Sequence, residues 1–426
     1  MNKPIFYIGL LLLFPAFLFA QKREQMFTLQ QCLQEAVKHF PAQKQFLLNR
    51  TKHILQENNI RKNFLPQLNL NGQASYQSDV TKVPIPPIPN FEMPVISKNW
   101  YKINFDLDQL IWDGGVTKNK RQLETVDYKI SDQQVKIKTF ELKKQVNIIY
   151  FNILFLQANL DALHVLIKDL NARIKDAETA LKNGILLPSD VDVLKVNKKL
   201  AEQQIIEKQE DQKGLIASLN QFTRLNITSA KELATPEITL ADYTFVNNRP
   251  EYQLFSLQKK KFSALEKMTA TKRMPVFKLF GQAGYGRPGY DLLNDKFDTY
   301  YMVGVRLHWN IFDWNHVKQE KQILTIQSDI INTEQETFNQ SLRAELERRK
   351  AGIQKFVRLI SADKEILQLQ QSVVSAANNK LKNGTITATS YLIELNKEVN
   401  AQLTMQAHKL QLLFAKYQYI TAIGNL

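Results

Sequence analysis

From Val146 onward the apolar residues advance by alternating threes and fours: Val146, Ile149, Ile153, Leu156, Leu160, Leu163, Ile167, Leu170, Ile174, Ala177 and Leu181. All of them fit a period of about 3.5 residues, the spacing of a coiled-coil seam. Two hundred positions later Leu346, Ile353, Phe356, Ile360, Leu367, Val374, Ala377 and Leu381 keep the same phase, with polar Arg349, Asp363 and Gln370 interrupting it. Val116–Lys182 contains neither Pro nor Gly, so the pattern predicts one helix of 67 residues. At 1.5 Å per residue such a helix is about 100 Å long, which implies an elongated molecule. A seam this narrow buries too little alone, so the helices must pack side by side within or between chains. Each helix stops at Asn183-Gly184 or Asn383-Gly384, residues that tolerate a left-handed backbone. Ser189-Asp190 and Thr389-Ser390 then offer N-cap oxygens to a returning helix, with Pro188 near its start. The return seam reads Leu187, Val191, Leu194, Ala201, Ile205, Leu215, Leu219 and Phe222.

A different period lies between the helices. Leu68, Leu70, Gly72, Ala74 and Tyr76 alternate with Gln67, Asn69, Asn71, Gln73 and Ser75; Tyr101, Ile103, Phe105 and Leu107 alternate with Lys102, Asn104, Asp106 and Asp108. The second copy gives Phe277, Leu279, Gly281, Ala283 and Tyr285, then Tyr301, Val303, Val305, Leu307, Trp309 and Ile311. Apolar alternation against a polar opposite face, at about 9–11 residues per strand, is the pattern of a membrane β-barrel. Strands are expected over 67–78, 99–112, 276–286 and 299–312. Trp100, Tyr101, Trp112, Tyr300, Tyr301, Trp309 and Trp314 suit an aromatic belt at the membrane interface. Four strands cannot close a barrel, and open edges are excluded from lipid; three chains give twelve.

These elements occur twice. Leu181-Lys182-Asn183-Gly184 returns as Leu381-Lys382-Asn383-Gly384, and Gly72-Gln73-Ala74-Ser75-Tyr76 returns as Gly281-Gln282-Ala283-Gly284-Tyr285. The offsets, 200 and 209, differ by one nine-residue insertion between Tyr76 and Tyr101. It falls in a link that is Pro-rich over 83–89; the shorter counterpart is 286–298. Each copy exceeds a solenoid unit of roughly 20–50 residues. The layout is a signal peptide over 1–20, a first repeat over 21–235 with its tip near 183–190, and a second over 236–426 with its tip near 383–390.

The first twenty residues read as a secretory signal, with Lys3, an apolar run over 5–19 and a cleavage site at Leu18-Phe19-Ala20. No long apolar run is evident past it. The single Cys, Cys32, is not directly after the signal, so no lipid anchor is expected; it reads as a small buried residue on a helix. The net charge of +15 is spread along the helices, as for solvated faces, and an exported chain has little access to nucleic acid. Gly284-Tyr285-Gly286-Arg287-Pro288-Gly289 matches a dinucleotide fingerprint in letters only, since no helix opens there. His39, His53, His164, His308, His316 and His408 lack zinc spacing, and no nucleophile motif is present. Neither enzymatic activity, nor a cofactor, nor a bound metal is expected.

The whole pattern resembles the TolC-like outer-membrane efflux and secretion channels, the outer membrane factors. The resemblance rests on the duplicated layout, on Ile111-Trp112-Asp113-Gly114-Gly115 and Ile311-Phe312-Asp313-Trp314 at strand ends, and on the Asn-Gly tips. It implies an α+β membrane protein: a homotrimer whose twelve-stranded β-barrel sits in the outer membrane of a Gram-negative bacterium, with long coiled-coil hairpins forming a periplasmic tunnel. The function implied is that of a passive conduit in a tripartite efflux pump or a type I secretion system, with a periplasmic adaptor protein and an inner-membrane pump as partners. Adaptor docking then falls on Asn183, Gly184, Ile185, Leu186, Asn383, Gly384, Thr385 and Ile386. The acidic gate position six residues past the tip Gly is Asp190 in the first copy but Ser390 in the second. Ile393 and Ile386 replace the second acidic residue and the Arg that the family places near that tip. Asp192 and Glu394 are the other gate candidates. The competing reading is a periplasmic coiled-coil adaptor or structural protein without a barrel, although adaptors usually have one hairpin and this chain has two.

Overall fold

The computed structural model describes residues 26–80, 96–236 and 248–425. The signal over 1–20 and the Pro-rich link over 83–89, where the insertion falls, lie outside the described residues. The helices are α1 (Leu29–His39), α2 (Lys44–Arg61), α3 (Val116–Lys182), α4 (Pro188–Thr223), α5 (Pro250–Ala270), α6 (His316–Lys382) and α7 (Ala388–Ala422). The strands are β1 (Gln67–Tyr76), β2 (Asn99–Trp112), β3 (Val276–Arg287) and β4 (Asp298–His308). The duplication is preserved in length, since α3 and α6 each have 67 residues.

Contacts divide the chain into two units. One comprises the described parts of Met1–Glu35, Val146–Glu237 and Asp363–Leu410; the other those of Ala36–Gln145, Ile238–Ala362 and Gln411–Leu426.

In the first unit the hairpins α3–α4 and α6–α7 pack on each other through Leu170, Ala177, Val191, Leu194, Val374, Ala377, Tyr391, Leu392 and Leu395. Each fully buried Leu contributes about 1.5–3 kcal/mol by leaving water. No seam position of α3 named above is exposed. Along α3 one 18-residue window reaches a mean hydropathy of 1.3, enough by length and composition to cross a membrane, and 33% of it is buried. The sequence reading missed it because the seam is flanked by further apolar residues; Tyr150, Phe151 and Leu154 are buried beside Val146 and Ile153. Near the amino terminus Phe27 bridges to Leu233, and the Tyr150 hydroxyl lies 2.9 Å from the Phe27 carbonyl and 2.5 Å from that of Ala234. Cys32 is fully buried on α1, and burial pushes its thiol up to about 12.

The polar interruptions in the α6 seam all find partners on α7. In the first unit Asp363 lies 2.6 Å from His408, and the Gln370 amide donates to the Glu394 carbonyl at 3.0 Å and to its carboxylate at 3.1 Å. In the second unit the Arg349 guanidinium donates to the side-chain oxygen of Gln418.

The second unit contains one antiparallel sheet in the order β1-β2-β3-β4. Its helical core gathers Leu342, Leu346, Ile353, Ala415, Tyr419, Ala422 and Ile423, with Tyr252 and Phe338 against it. Strand and helix join through matching aspartates. Asp113 accepts the N–H groups of Gly115 (2.9 Å) and Thr117 (2.6 Å); Asp313 accepts those of Asn315 and Val317, both at 3.1 Å. These carboxylates satisfy otherwise orphaned donors at the positive ends of α3 and α6. The turns are left-handed in both copies, with Gly114-Gly115 in the first and Trp314-Asn315 in the second. A Cβ on Gly114 would lie 2.4 Å from that of Met274, so there the close approach requires glycine as well as the positive φ.

Two local expectations change. Of the residues expected to offer cap oxygens, Ser189-Asp190 and Thr389-Ser390, only Asp190 does so. Asp190 binds the Leu187 N–H at 3.1 Å, whereas at the second start the Thr387 hydroxyl binds the Ser390 N–H at 3.2 Å, because each helix starts one residue before Ser189 or Thr389. The last strand ends at His308 rather than near 312, since its partner β3 begins at Val276, opposite His308.

Burial raises the Asp113 carboxyl pKa, but the Thr117 hydroxyl and N–H and the Gly115 N–H together hold it below its ordinary value. A depressed folded value stabilises above the ordinary range of about 3.9, and the stabilisation is lost as pH falls through the folded value. Asp113→Ala is therefore expected to lower stability by about 1–2 kcal/mol at neutral pH. Thermal melts across pH check this: the gap to the parent should close on acidification.

Candidate functional site

Pairing register fixes which side chains share each face of the sheet. Asn71 stands opposite Asn104, Asp106 opposite Gln282, and Gln282 opposite Met302. With Gln67, Asn69, Gln73, Ser75, Lys102, Asp108, Lys278 and Arg306 they form the polar face. Asp106 is its centre, accepting from Gln282 at 2.7 Å, Asn104 at 2.8 Å and Asn71 at 2.5 Å. These bonds run across β1, β2 and β3. Beside them lies a recess of about 450 Å³ reached by Asn69, Asp108, Phe280 and Arg306.

The opposite face is apolar and uncovered. Leu68 is 66% exposed, Val303 70% and Tyr301 81%. Leu70, Ile103, Phe105, Leu107, Leu279, Val305 and Leu307 continue it, all exposed. An apolar surface of this kind marks an interaction with lipid or protein.

The seven belt aromatics do not share one setting. Tyr101 and Tyr301 stand on the apolar face. Trp112 reaches it through a bulge between Leu110 and Trp112 that reverses the alternation and brings its ring 6.1 Å from Phe277. Trp309 follows β4 and donates to the Arg273 carbonyl at 3.1 Å; Trp314 is exposed in the left-handed turn before α6. Trp100 and Tyr300 depart from the expectation. They lie opposite Ser75 and Gly284 on the polar face, with the Lys102 ammonium 5.0 Å and 6.0 Å from their rings. Alternation had already assigned them there, because both are one residue from an apolar-face tyrosine.

The hairpin tips are alike in backbone. Gly184 (φ 73°) and Gly384 (φ 70°) are left-handed. Their N–H groups bond the Leu181 and Leu381 carbonyls at 3.0 Å, and the next N–H, of Ile185 or Thr385, reaches Ala180 or Lys380 at 2.9 Å. This double closure is the Schellman motif. Asn183, Gly184, Ile185, Asn383, Gly384 and Thr385 are exposed, whereas Leu186 and Ile386 turn partly inward. A cleft of about 750 Å³ lies between the tips, with Arg173, Asp176, Ile185, Thr385 and Tyr391 on its walls.

The gate candidates do not converge. Asp190 and Ser390 are tied to the helix starts, Glu394 is bound by Lys397 and Gln370, and Asp192 is exposed. The charged contact between hairpins is elsewhere and was not foreseen. Arg173 on α3 donates to the hydroxyl of Tyr391 on α7, its guanidinium 4.3 Å from the ring centre, and Asp169 lies 3.8 Å from Arg173. Burial raises the Asp169 pKa while Arg173 opposes the shift, and burial likewise raises that of Tyr391. Arg173 and Asp169 are spaced as an ordinary i,i+4 pair, so only the cross-hairpin Tyr could have distinguished them.

Among the described residues no cluster of His, Cys, Asp and Glu suits a metal ion. Residues 246–426 match the family model described as outer membrane efflux protein. No curated protein matches the sequence significantly. Among solved structures, the outer membrane protein VceC of Vibrio cholerae is 14% identical over 93% of this chain and 96% of its own, with a TM-score of 0.66. The CmeC outer membrane channel of Campylobacter jejuni is 14% identical over 93% and 85%, with a TM-score of 0.66. A membrane protein from Pseudomonas aeruginosa is 14% identical over 93% and 90%, with a TM-score of 0.71. The fold of these outer membrane channels is thus shared along nearly the whole chain, and the match to the outer membrane efflux protein model lies in its second half.

Proposed function

We propose that three copies of the chain close one twelve-stranded barrel in the outer membrane of a Gram-negative cell, and that their hairpins form a periplasmic tunnel. The tube is then the passive outlet of a tripartite efflux pump or a type I secretion system, with energy supplied by an inner-membrane pump through a periplasmic adaptor. The observation that carries this reading is the sheet, whose apolar face is exposed and whose edge strands β1 and β4 pair with nothing among the described residues. Lipid tolerates no open edge, so β4 must pair with β1 of another copy. Two copies would give eight strands, a barrel whose interior side chains nearly fill. Three leave room for a conduit. A periplasmic coiled coil without a barrel is not favoured, because it leaves the apolar sheet face without a partner.

The adaptor docks on the exposed tips, Asn183, Gly184, Ile185 and Leu186 with Asn383, Gly384, Thr385 and Ile386. The first tip is the more apolar, since Ile185 and Leu187 are both strongly exposed. Near the tips, the bridge from Arg173 to Tyr391 holds the hairpins together and opposes their parting.

Membrane fractionation with gel mobility before and after boiling tests the assembly. A detergent-extracted trimer in the outer membrane is expected, and a monomer soluble without detergent would exclude the barrel. Ile185→Asp is expected to leave the trimer intact while abolishing in-cell cross-linking to periplasmic partners. Tyr391→Phe, which removes only the hydroxyl, should cost about 1 kcal/mol in denaturation of the purified protein. Tyr391→Ala, which empties a buried site, should cost about 3–5 kcal/mol.

A further inference from the structure

The link from β3 to β4, residues 288–297, grips the sheet from both sides. On the polar face the Tyr290 hydroxyl donates to Gln282 at 2.6 Å, and its ring lies 4.7 Å from that of Tyr300. Gln282 in turn donates to Asp106, so the loop joins the hydrogen-bond chain described above. Tyr300 is itself buried and lies flat on the sheet; a Cβ on Gly284 would be 2.6 Å from its hydroxyl. On the apolar face Phe297 stacks 5.5 Å from Tyr285 and 6.2 Å from Tyr101, and Arg287 pairs with Asp295 at 2.7 Å. Pro288 and Gly289 are buried between these anchors.

A membrane barrel turns its polar face inward, and this link joins the strand ends away from α5 and α6, at the outer mouth. We propose that Tyr290, backed by Tyr300, Trp100 and Lys102, forms an aromatic collar that narrows the lumen at the outer mouth and limits the bulk of what passes. The inference rests on the barrel assignment made above. Three copies place three Tyr290 side chains around the axis, each held by a ring contact and a hydrogen bond. The collar is therefore a fixed constriction independent of the tips. Its position also explains why two of the expected interface aromatics face the lumen.

Thiol labelling from outside intact cells tests it in the full-length protein. Arg306→Cys places a thiol in the lumenal recess four residues along β4 from Met302, the partner of Gln282, on the α6 side and so inward of the collar; the single native thiol, Cys32, is fully buried. A small maleimide should label this Cys whether or not Tyr290 is present. A maleimide bearing a bulky polyethylene glycol chain should react roughly tenfold faster after Tyr290→Ala, corresponding to about 1.4 kcal/mol of barrier removed. Tyr290→Phe keeps the ring but loses the Gln282 bond and should fall between. Equal bulky-reagent rates with and without Tyr290, alongside normal small-reagent labelling, would overturn the collar and leave the barrel standing. If the small reagent failed to label Arg306→Cys in outer-membrane trimers, the lumenal face would be misassigned and the collar would fall with it.

Discussion

One constraint governs this chain: a four-stranded sheet whose apolar face is exposed and whose two edge strands pair with nothing among the described residues. Each unpaired backbone group costs several kcal/mol in hydrocarbon, and the apolar face is equally unfavourable in water. In the proposed assembly lipid covers the apolar face, further copies pair with the two edges, and the polar face lines the interior. Asp106 shows how that interior is kept tolerable, since its three amide donors satisfy the carboxylate without any counter-charge. The paired aspartates at the strand–helix joints then carry each strand pair into a long helix without stranding the first helical donors.

The parts of the fold that depend on local chemistry were legible in the sequence. The first 67-residue helix follows from an unbroken period without Gly or Pro, the second from the same phase carried past Gly352 and three polar positions, and the sheet faces from simple alternation. The tips follow from Asn-Gly. What escaped was tertiary in origin. Trp112 changes face because a bulge inserts a residue, and no residue nearby announces a bulge. The end of β4 depends on where its partner starts. At α4 the offered Asp190 reaches back to the Leu187 N–H, whereas the cap of α7 is Thr387, just outside the Thr389-Ser390 that the sequence offered. Arg173 looked like half of an i,i+4 pair until Tyr391 was brought to it from a helix more than two hundred residues away.

Duplication creates a problem of its own, which the polar residues in the second seam address. Two hairpins of equal length and phase allow α7 to compete for α3, and α4 for α6. In the observed pairing Arg349, Asp363 and Gln370 meet Gln418, His408 and Glu394. The equivalent positions of α3 are Ile149, Leu163 and Leu170. Packing α7 on α3 would set Gln418 and His408 against those apolar side chains, at about 1–3 kcal/mol for each polar group left unsatisfied, and would leave Glu394 without its Gln370 partner. Two such penalties are a sizeable part of the whole stability of a small domain. Replacing the polar pairs by leucines would bury more apolar surface and still weaken the fold in the sense that matters here, because the two hairpins would lose the difference that tells them apart.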